Sequence, residues 1–301
     1  MVRYNKLNDY LFVRFGRKVY KLAIDAGFSC PTRDGTLSEG GCIFCSQAGS
    51  GDFAESGTDV KQQLERARAR IKSKLPEGAG FISYFQSFTN TYATVETLRE
   101  MYYAAIEGDD IMALSVATRP DCISDACLAL LGEINRVKPV FVELGLQTSN
   151  EKTAEYINRC YKNEVFTETV SRLRGAGLEV IVHVILGLPG EKLEDMLKTV
   201  EFVSEHDVQG IKLQLLHVLR GTRLADTDYV PMEMGEYFFA LGECIEHLRP
   251  DIVIHRLTGD GDKKILLAPL WSGDKHTVLN GFARYMEEQD IVQGKRYKKS
   301  S

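Results

Sequence analysis

Hydrophobic residues in this chain fall into six short, β-rich runs separated by stretches of helical spacing. The runs are VYKLAIDA (19–26), FISYF (81–85), IMALSVA (111–117), VFVELGL (140–146), LEVIVHVIL (178–186) and IKLQLL (211–216). Between them, Val60, Leu64, Ala67, Ile71 and Leu75 recur at three- and four-residue intervals, as do Leu98, Met101, Tyr102, Ala105 and Ile106. Such spacing places apolar side chains on one helix face. A third set, Val165, Phe166, Val170 and Leu173, runs into Gly175 and Gly177, a helix stop. Strands alternating with helices predict an α/β fold of parallel βαβ units with right-handed crossovers, as an open sheet or an incomplete barrel.

The chemically loaded segments all follow strands. A cysteine-bearing loop follows the first run, QSFTNTY the second, TRPDC the third, QTSNE the fourth, GLPGE the fifth and HVLRGT the sixth. In parallel α/β folds the C-terminal strand ends and their loops build the active site. Any one of these segments could be a mere turn, but six together point to an enzyme. Beyond residue 225 the rhythm weakens into a helical stretch (233–248), a strand (251–257), the Gly/Asp loop TGDGDKK and a helix near 275–289. The expected division is a core over 1–225 and an α+β extension over 226–301.

Composition changes little: the chain has 301 residues, 44% hydrophobic and 26% charged, as in ordinary globular proteins. No apolar run is long enough to span a bilayer, and the N-terminus lacks the features of an export signal, so a cytoplasmic protein is expected. Seven cysteines in that setting argue for thiols, metal ligation or catalysis rather than disulfides. The net charge of −5 is uninformative, but its distribution is not. Lys61, Arg66, Arg68, Arg70, Lys72 and Lys74 cluster against one acid, and Lys295, Arg296, Lys298 and Lys299 crowd the tail. Such clusters either neutralise phosphates or form a solvated face.

The loop CPTRDGTLSEGGCIFC (30–45) carries Cys30, Cys42 and Cys45, with eleven residues in the first gap and two in the second. Structural zinc takes four protein ligands, often as two CxxC pairs, and here there is one; His183 or His217 could complete such a site. A [4Fe–4S] cluster held by three cysteines is the better account, because it leaves one iron open to a small molecule. Phe44 and Ile43 would shield the cluster edge.

This loop resembles the cluster loop of radical S-adenosylmethionine (SAM) enzymes, although their common spacing is CxxxCxxC. The long first gap, with an aromatic before the last cysteine, looks like the Elongator catalytic subunit and shorter bacterial relatives of YtqA/YhcC (MnmL) type. DAGFSCPTRDG, YFQSFTNTY, TRPDC, ELGLQTS, ILGLPGE and LAPLW all match that shorter group, over nearly the whole chain. The resemblance implies a partial (β/α)6 barrel and two cofactors, a [4Fe–4S] cluster and SAM. It implies reductive cleavage of SAM to methionine and a 5′-deoxyadenosyl radical, fed by an external one-electron donor such as a flavodoxin or ferredoxin.

It also implies cofactor contacts. Gln86, Asn90 and Thr91 would lie near the methionine amino group, and Thr118 and Arg119 after the third strand. Gln147 and Arg159 would touch the ribose and carboxylate, with Arg159 late in the helix after strand four. Glu143 would reach the cofactor or pair with Arg119. His183 would hold a ribose hydroxyl or be a satisfied core histidine. Leu216, His217 and Val218 would edge the adenine. Where the Elongator subunit has Glu before TRPD, this chain has Ala117, so that contact does not carry over. The chain shows no acetyltransferase domain, so acetyl-CoA chemistry is not implied. The implied substrate is the C5 side chain of wobble uridine in the tRNA anticodon, converted from carboxymethylaminomethyl-uridine to aminomethyl-uridine. The alternatives are a radical SAM enzyme acting on a small molecule or peptide, and a zinc-stabilised nucleic-acid-binding module without catalysis.

Overall fold

The computed structural model describes residues 2–49, 54–57, 59–259 and 261–299. Its centre is a seven-stranded, all-parallel sheet that curls into a half-barrel, in the order β1-β2-β3-β4-β5-β6-β8. The strands are β1 (Val19–Ile24), β2 (Gly80–Phe85), β3 (Ile111–Thr118), β4 (Val140–Gln147), β5 (Glu179–Leu186), β6 (Gly210–Leu215) and β8 (Val253–Arg256). The first six coincide with the apolar runs. The seventh crosses the expected division at residue 225, because β8 pairs in parallel with β6. A two-stranded ribbon, β7 (Val218–Leu219) with β9 (Leu266–Ala268), stands apart from it.

The crossover helices are α2 (Val60–Ile71), α3 (Val95–Ile106), α4 (Asp125–Asn135), α6 (Asn163–Gly175) and α7 (Leu193–Glu205). The first three start at side-chain caps: Asp59 accepts from the Lys61 and Gln62 amides, and Thr94 and Ser124 cap α3 and α4. Their apolar faces meet the outer face of the sheet in one core that includes Leu64, Tyr102, Leu131, Phe166 and Val200. Two helices in the C-terminal part, α8 (Met234–His247) and α9 (Lys275–Glu288), extend this layer, with Phe238 against Phe282 at 5.5 Å between ring centres. Among the described residues, no helix is long and apolar enough to cross a membrane.

The inner face is built in layers, since strand side chains alternate with a period of two. At the N-terminal end, Val19, Ile82, Ala113, Phe141 and Ile181 form an apolar base. This base is covered by α1 (Leu7–Phe15), a helix that periodicity did not reveal, through Leu7, Tyr10, Leu11 and Phe15. Two residues further along each strand come Lys21, Tyr84, Ser115, Glu143 and His183, an ionic and polar middle. Two further still, Gln86, Ala117, Gly145, Ile185 and Gln214 line a cavity at the C-terminal end. The interior therefore passes from apolar to charged to open.

Two sequence expectations change here. The segment between β4 and β5 is two helices, a short α5 (Glu151–Tyr156) and α6, so Arg159 and Cys160 lie in the turn between them. Both Asn158 and Cys160 there have left-handed backbone, at φ 63° and 62°, which ends the first helix. The basic residues of α2 are also already matched. Lys61 pairs with Glu107, Arg66 and Arg70 with Glu55, and Arg68 with Asp110. In the tail, Lys295 and Arg296 pair with Glu246.

The join between α7 and β6 depends on one side chain. The Arg249 guanidinium donates to the carbonyls of Ser204, His206 and Val208 at 2.8, 2.6 and 2.9 Å. Arg249→Met removes the guanidinium donor from all three carbonyls, of which His206 keeps the Val208 amide, so unfolding in urea is expected to lose about 2–3 kcal/mol with an unchanged slope.

Candidate active site

Cys30, Cys42 and Cys45 line the cavity at the C-terminal end of the sheet, together with Phe44, Gln86, Thr118, Arg119, Gln147 and His217. The cysteine loop has no regular structure, and its shape comes from local hydrogen bonds. The Cys30 carbonyl accepts from the Arg33 amide at 2.8 Å, Thr32 from Gly41 at 2.7 Å, and Cys42 from Cys45 at 3.1 Å. Arg33 crosses the loop to the Cys45 carbonyl at 3.0 Å and lies over the Phe88 ring. Gly41 is obligatory: its φ is +76°, and a Cβ there would come within 2.8 Å of Arg33 Nε.

The rest of the chain holds the loop from one side. Asn158 donates its amide to Ser38 Oγ at 2.9 Å and to the Gly41 carbonyl at 2.7 Å. Ile43 takes its backbone partners from Ile157 and Leu224. Ile43 is buried with Ile157, Ile185, Leu188 and Leu216 in a second apolar cluster, and Phe44 packs against it. Burial, and then the neighbouring Cys45 thiol, push Cys42 up to about 12. A thiol in that state ionises when a cation takes the proton's place. Of the cysteines outside this loop, Cys127 and Cys244 are buried, whereas Cys160 is exposed.

Gln147 ends β4 with φ +68°, a left-handed conformation that costs a non-glycine residue energy, at a register shift between β4 and β5. Its Oε1 is buried with no hydrogen-bond partner among the described residues. Gly145 makes room for it, because a Cβ there would lie 2.8 Å from Gln147 Nε2. A strained backbone presenting an unmatched acceptor to a cavity is a ligand-binding arrangement.

Arg159 does something other than expected. It is 1% exposed, and its guanidinium is spent on protein oxygens. Nη1 donates to Thr148 O at 2.7 Å and Leu146 O at 3.2 Å; Nη2 donates to Tyr161 O at 2.9 Å and Asn163 Oδ1 at 3.0 Å. It clamps the loop that carries Gln147 and is a positioning residue. Arg119 in turn donates to Asp121 through Nε and Nη2 at 2.9 and 2.7 Å, and to the Arg159 carbonyl at 2.8 Å. The expected Glu143–Arg119 pair is therefore absent.

Glu143 instead sits in the middle layer with 0% exposure. Its Oε1 accepts from Lys21 and from Ser115 Oγ at 2.7 Å; Oε2 meets Lys212 and His183 Nε2, the latter at 2.7 Å. Burial would raise this carboxyl, but Lys21 and Lys212 draw it well below the ordinary range. His183 is thus a matched interior histidine, lowered to about 4 by burial and then Lys212. Asn90 and Thr91 also turn inward. The Asn90 amide donates to the carbonyls of Phe85 and Ala117, and Thr91 bonds Thr118 Oγ1 and the Cys122 carbonyl. Leu216 and His217 line the cavity, whereas Val218 belongs to the ribbon. Sequence reasoning missed Lys21, Tyr84, Lys212 and Arg256. The available signal was a charge placed within an apolar parallel strand, as in VYKLAI and GIKLQL.

Against models of known families, residues 38–203 match the Radical SAM superfamily and 208–288 the Radical SAM C-terminal domain. The chain belongs to the radical SAM superfamily. It is 42% identical to YtqA of Bacillus subtilis over 99% of this chain and 94% of that protein. A more distant relative is a tRNA-2-methylthio-N(6)-dimethylallyladenosine synthase of Fusobacterium nucleatum, 23% identical over 62% of this chain and 43% of that protein. Among solved structures, Methanocaldococcus infernus Elp3 lacking residues 1–46 superposes with a TM-score of 0.69 at 16% identity, covering 91% of this chain and 64% of that one.

Radical SAM enzymes use a [4Fe–4S] cluster and SAM. The donor set here fits both groups: three thiols on one loop, and an unmatched amide oxygen facing the same cavity. Among the described residues, no three His, Cys, Asp or Glu are placed to hold one metal ion. A cluster that gives each thiolate its own iron does not need them to converge. Membership of this superfamily removes the reading as a zinc-stabilised module.

Arg159→Lys keeps the charge but loses the planar fork, so the loop loses at least two hydrogen bonds and unfolding is expected to cost about 2–3 kcal/mol less in denaturant titrations. Glu191 gives a pH signature. Its Oε1 accepts from Thr148 at 2.5 Å, and burial raises its carboxyl to about 7. Since the unfolded carboxyl titrates near 4.5, the folded chain keeps a proton that the unfolded chain has lost, and stability falls as pH rises between about 4.5 and 7. Glu191→Gln is expected to remove that slope, measured as the difference between the two proteins' thermal midpoints across this range.

Proposed function

We propose that Cys30, Cys42 and Cys45 hold a [4Fe–4S] cluster by three of its irons, and that the enzyme acts on the C5 side chain of wobble uridine in tRNA. The bound cluster and SAM supply a 5′-deoxyadenosyl radical, at the expense of one electron from an external donor such as a flavodoxin or ferredoxin. The protein contributes positions. Gln147 offers its unmatched oxygen to a cofactor hydroxyl or ammonium, Gln86 and Thr118 supply polar contacts, and Ile43 and Phe44 keep water from the cluster edge. Arg159 and Arg119 fix the loop between them. A primary carbon radical attacks most nearby C–H bonds, so enclosure within the barrel end is part of the chemistry.

The observation that carries the cofactor reading is the convergence of three loop thiols and the strained Gln147 on one cavity at the strand ends. The substrate reading is supported by the fold shared with Elp3 and by similarity to a tRNA-modifying relative. In it the conversion is carboxymethylaminomethyl-uridine to aminomethyl-uridine in the cytoplasm. Hydrogen is taken from the carboxymethyl group, and loss of one further electron gives an imine. Water cleaves its C–N bond so that the two carbons leave as glyoxylate, with SAM the two-electron oxidant overall. A boundary near residue 225 then divides the core that carries the thiol loop from a C-terminal part that adds β8 to the same sheet.

The internal pairing of the basic residues on α2 favours a second reading, a small-molecule or peptide substrate. Under that reading turnover is insensitive to salt, whereas binding through tRNA phosphates weakens steeply as salt rises.

Anaerobic reconstitution with iron and sulfide is expected to give a brown protein that releases 5′-deoxyadenosine under dithionite. Replacing any one of the three cysteines by alanine should lower this release by at least about a hundredfold, while Cys127→Ala should not. Nucleoside mass spectrometry of tRNA from cells lacking the gene should show carboxymethylaminomethyl-uridine accumulating; an unchanged profile would rule out the wobble-uridine substrate and leave the cofactor chemistry standing.

A further inference from the structure

The charged groups that line the cavity at the strand ends are already engaged inside the protein. Glu143 takes Lys212 and His183, Arg119 holds Asp121, and Arg159 is spent on protein oxygens. His217, Arg256 and Gln86 also interact within the chain. Among the described residues, the cavity-lining polar side chains that have no such partner are neutral: Thr89, Gln147 and Gln214. Gln147 ends β4 and is assigned above to the cofactor. Gln214 lies on β6, two residues beyond Lys212 and therefore on the same inward face.

The surroundings of Gln214 suit a flat, uncharged group. Its register partner on β5 is Ile185, which lines the cavity beside it. Ala117 and Gly145 in the same layer are small, and Leu216 adds apolar surface nearer the strand end. A carboxamide presents one acceptor and one donor side by side. Such a pair is favoured by a ligand that offers the complementary pair, and it penalises one that leaves either group unmatched. A nucleobase edge is such a ligand, whereas a charged group finds no free counter-charge among the described lining residues.

We propose that Gln214 reads the base of the substrate, accepting from the pyrimidine N3–H and donating to the neighbouring carbonyl oxygen. Enzymes that take a base out of the stack read it through this edge and pack its faces against apolar side chains, here Ile185. C5 lies outside that edge, so its side chain stays free to face the cofactor. This deepens the reading of the previous subsection and rests on it for the choice of a pyrimidine. Adenine also carries a donor beside an acceptor, so SAM is the other source of the same chemistry, and the test separates the two.

Fluorescence anisotropy on cluster-loaded, SAM-saturated protein would compare two anticodon stem-loop RNAs that differ only at the wobble position. One carries carboxymethylaminomethyl-uridine and the other its N3-methyl derivative, in which the methyl group removes the donor and fills the edge. The wild type is expected to bind the first at least about tenfold more tightly. Gln214→Leu is expected to bring the first RNA to the level of the second, with SAM affinity and thermal midpoint unchanged. Gln214→Met, closer in length, serves as the second variant and should behave alike. Equal wild-type affinity for the two RNAs would overturn the proposal, as would a preference that survives both substitutions. Weakened SAM binding in both variants assigns the amide to adenine and overturns it as well. If neither RNA binds, the wobble-uridine reading fails, and saturation-transfer NMR with uridine against 3-methyluridine becomes the measure. Saturation of uridine alone, lost in Gln214→Leu, supports the base reader, and equal or absent saturation sinks it.

Discussion

A carboxylate with no solvent exposure at the centre of a barrel must be matched from its surroundings, and Glu143 is matched from four other strands. Lys21 on β1, Ser115 on β3, His183 on β5 and Lys212 on β6 all converge on it from their places around β4. An ion left alone in such a position would cost several kcal/mol, so these strands are held at a common height and curvature. The layers on either side follow from that. Two residues back, the side chains are apolar and α1 covers them; two residues forward, they are small enough to leave a cavity.

Above this plane, the loops that carry the chemistry are held by side chains rather than by secondary structure. Arg159 gathers four oxygens around the end of β4 and so fixes the strained backbone of Gln147. Its own carbonyl accepts from Arg119, and the neighbouring Asn158 reaches across to the cysteine loop. A single turn between two helices therefore joins the cofactor-facing end of β4 to the thiols. Two guanidinium groups do this well because each offers a planar array of donors at fixed angles.

The strand–helix alternation was legible because a parallel sheet covered on both faces needs near-continuous apolar strands and one-sided helices. The cysteine spacing and the six motif-bearing loops were legible for a related reason: chemistry at strand ends falls at fixed places in such a chain. Helix α1 was not, since its exposed Phe12 and Val13 blur the periodicity of a helix that buries little more than Leu11. The roles of Arg159, Glu143 and Asn90 were not legible either. Each is a polar residue whose partners lie on other elements or on the backbone, and those partners exist only once the barrel closes.

The sequence by itself determined the fold class, the order of the elements, the family and the thiol loop, because periodicity and spacing are properties of neighbours along the chain. Tertiary structure decided which polar residues face the cavity and which are consumed in holding it. It turned Asn90 and Thr91 away, made Arg159 a clamp, satisfied His183 and brought Lys212 beside Arg256. The reason is that a hydrogen bond or an ion pair is fixed by distance in space, and residues far apart in the chain acquire that distance only from the curvature of the sheet.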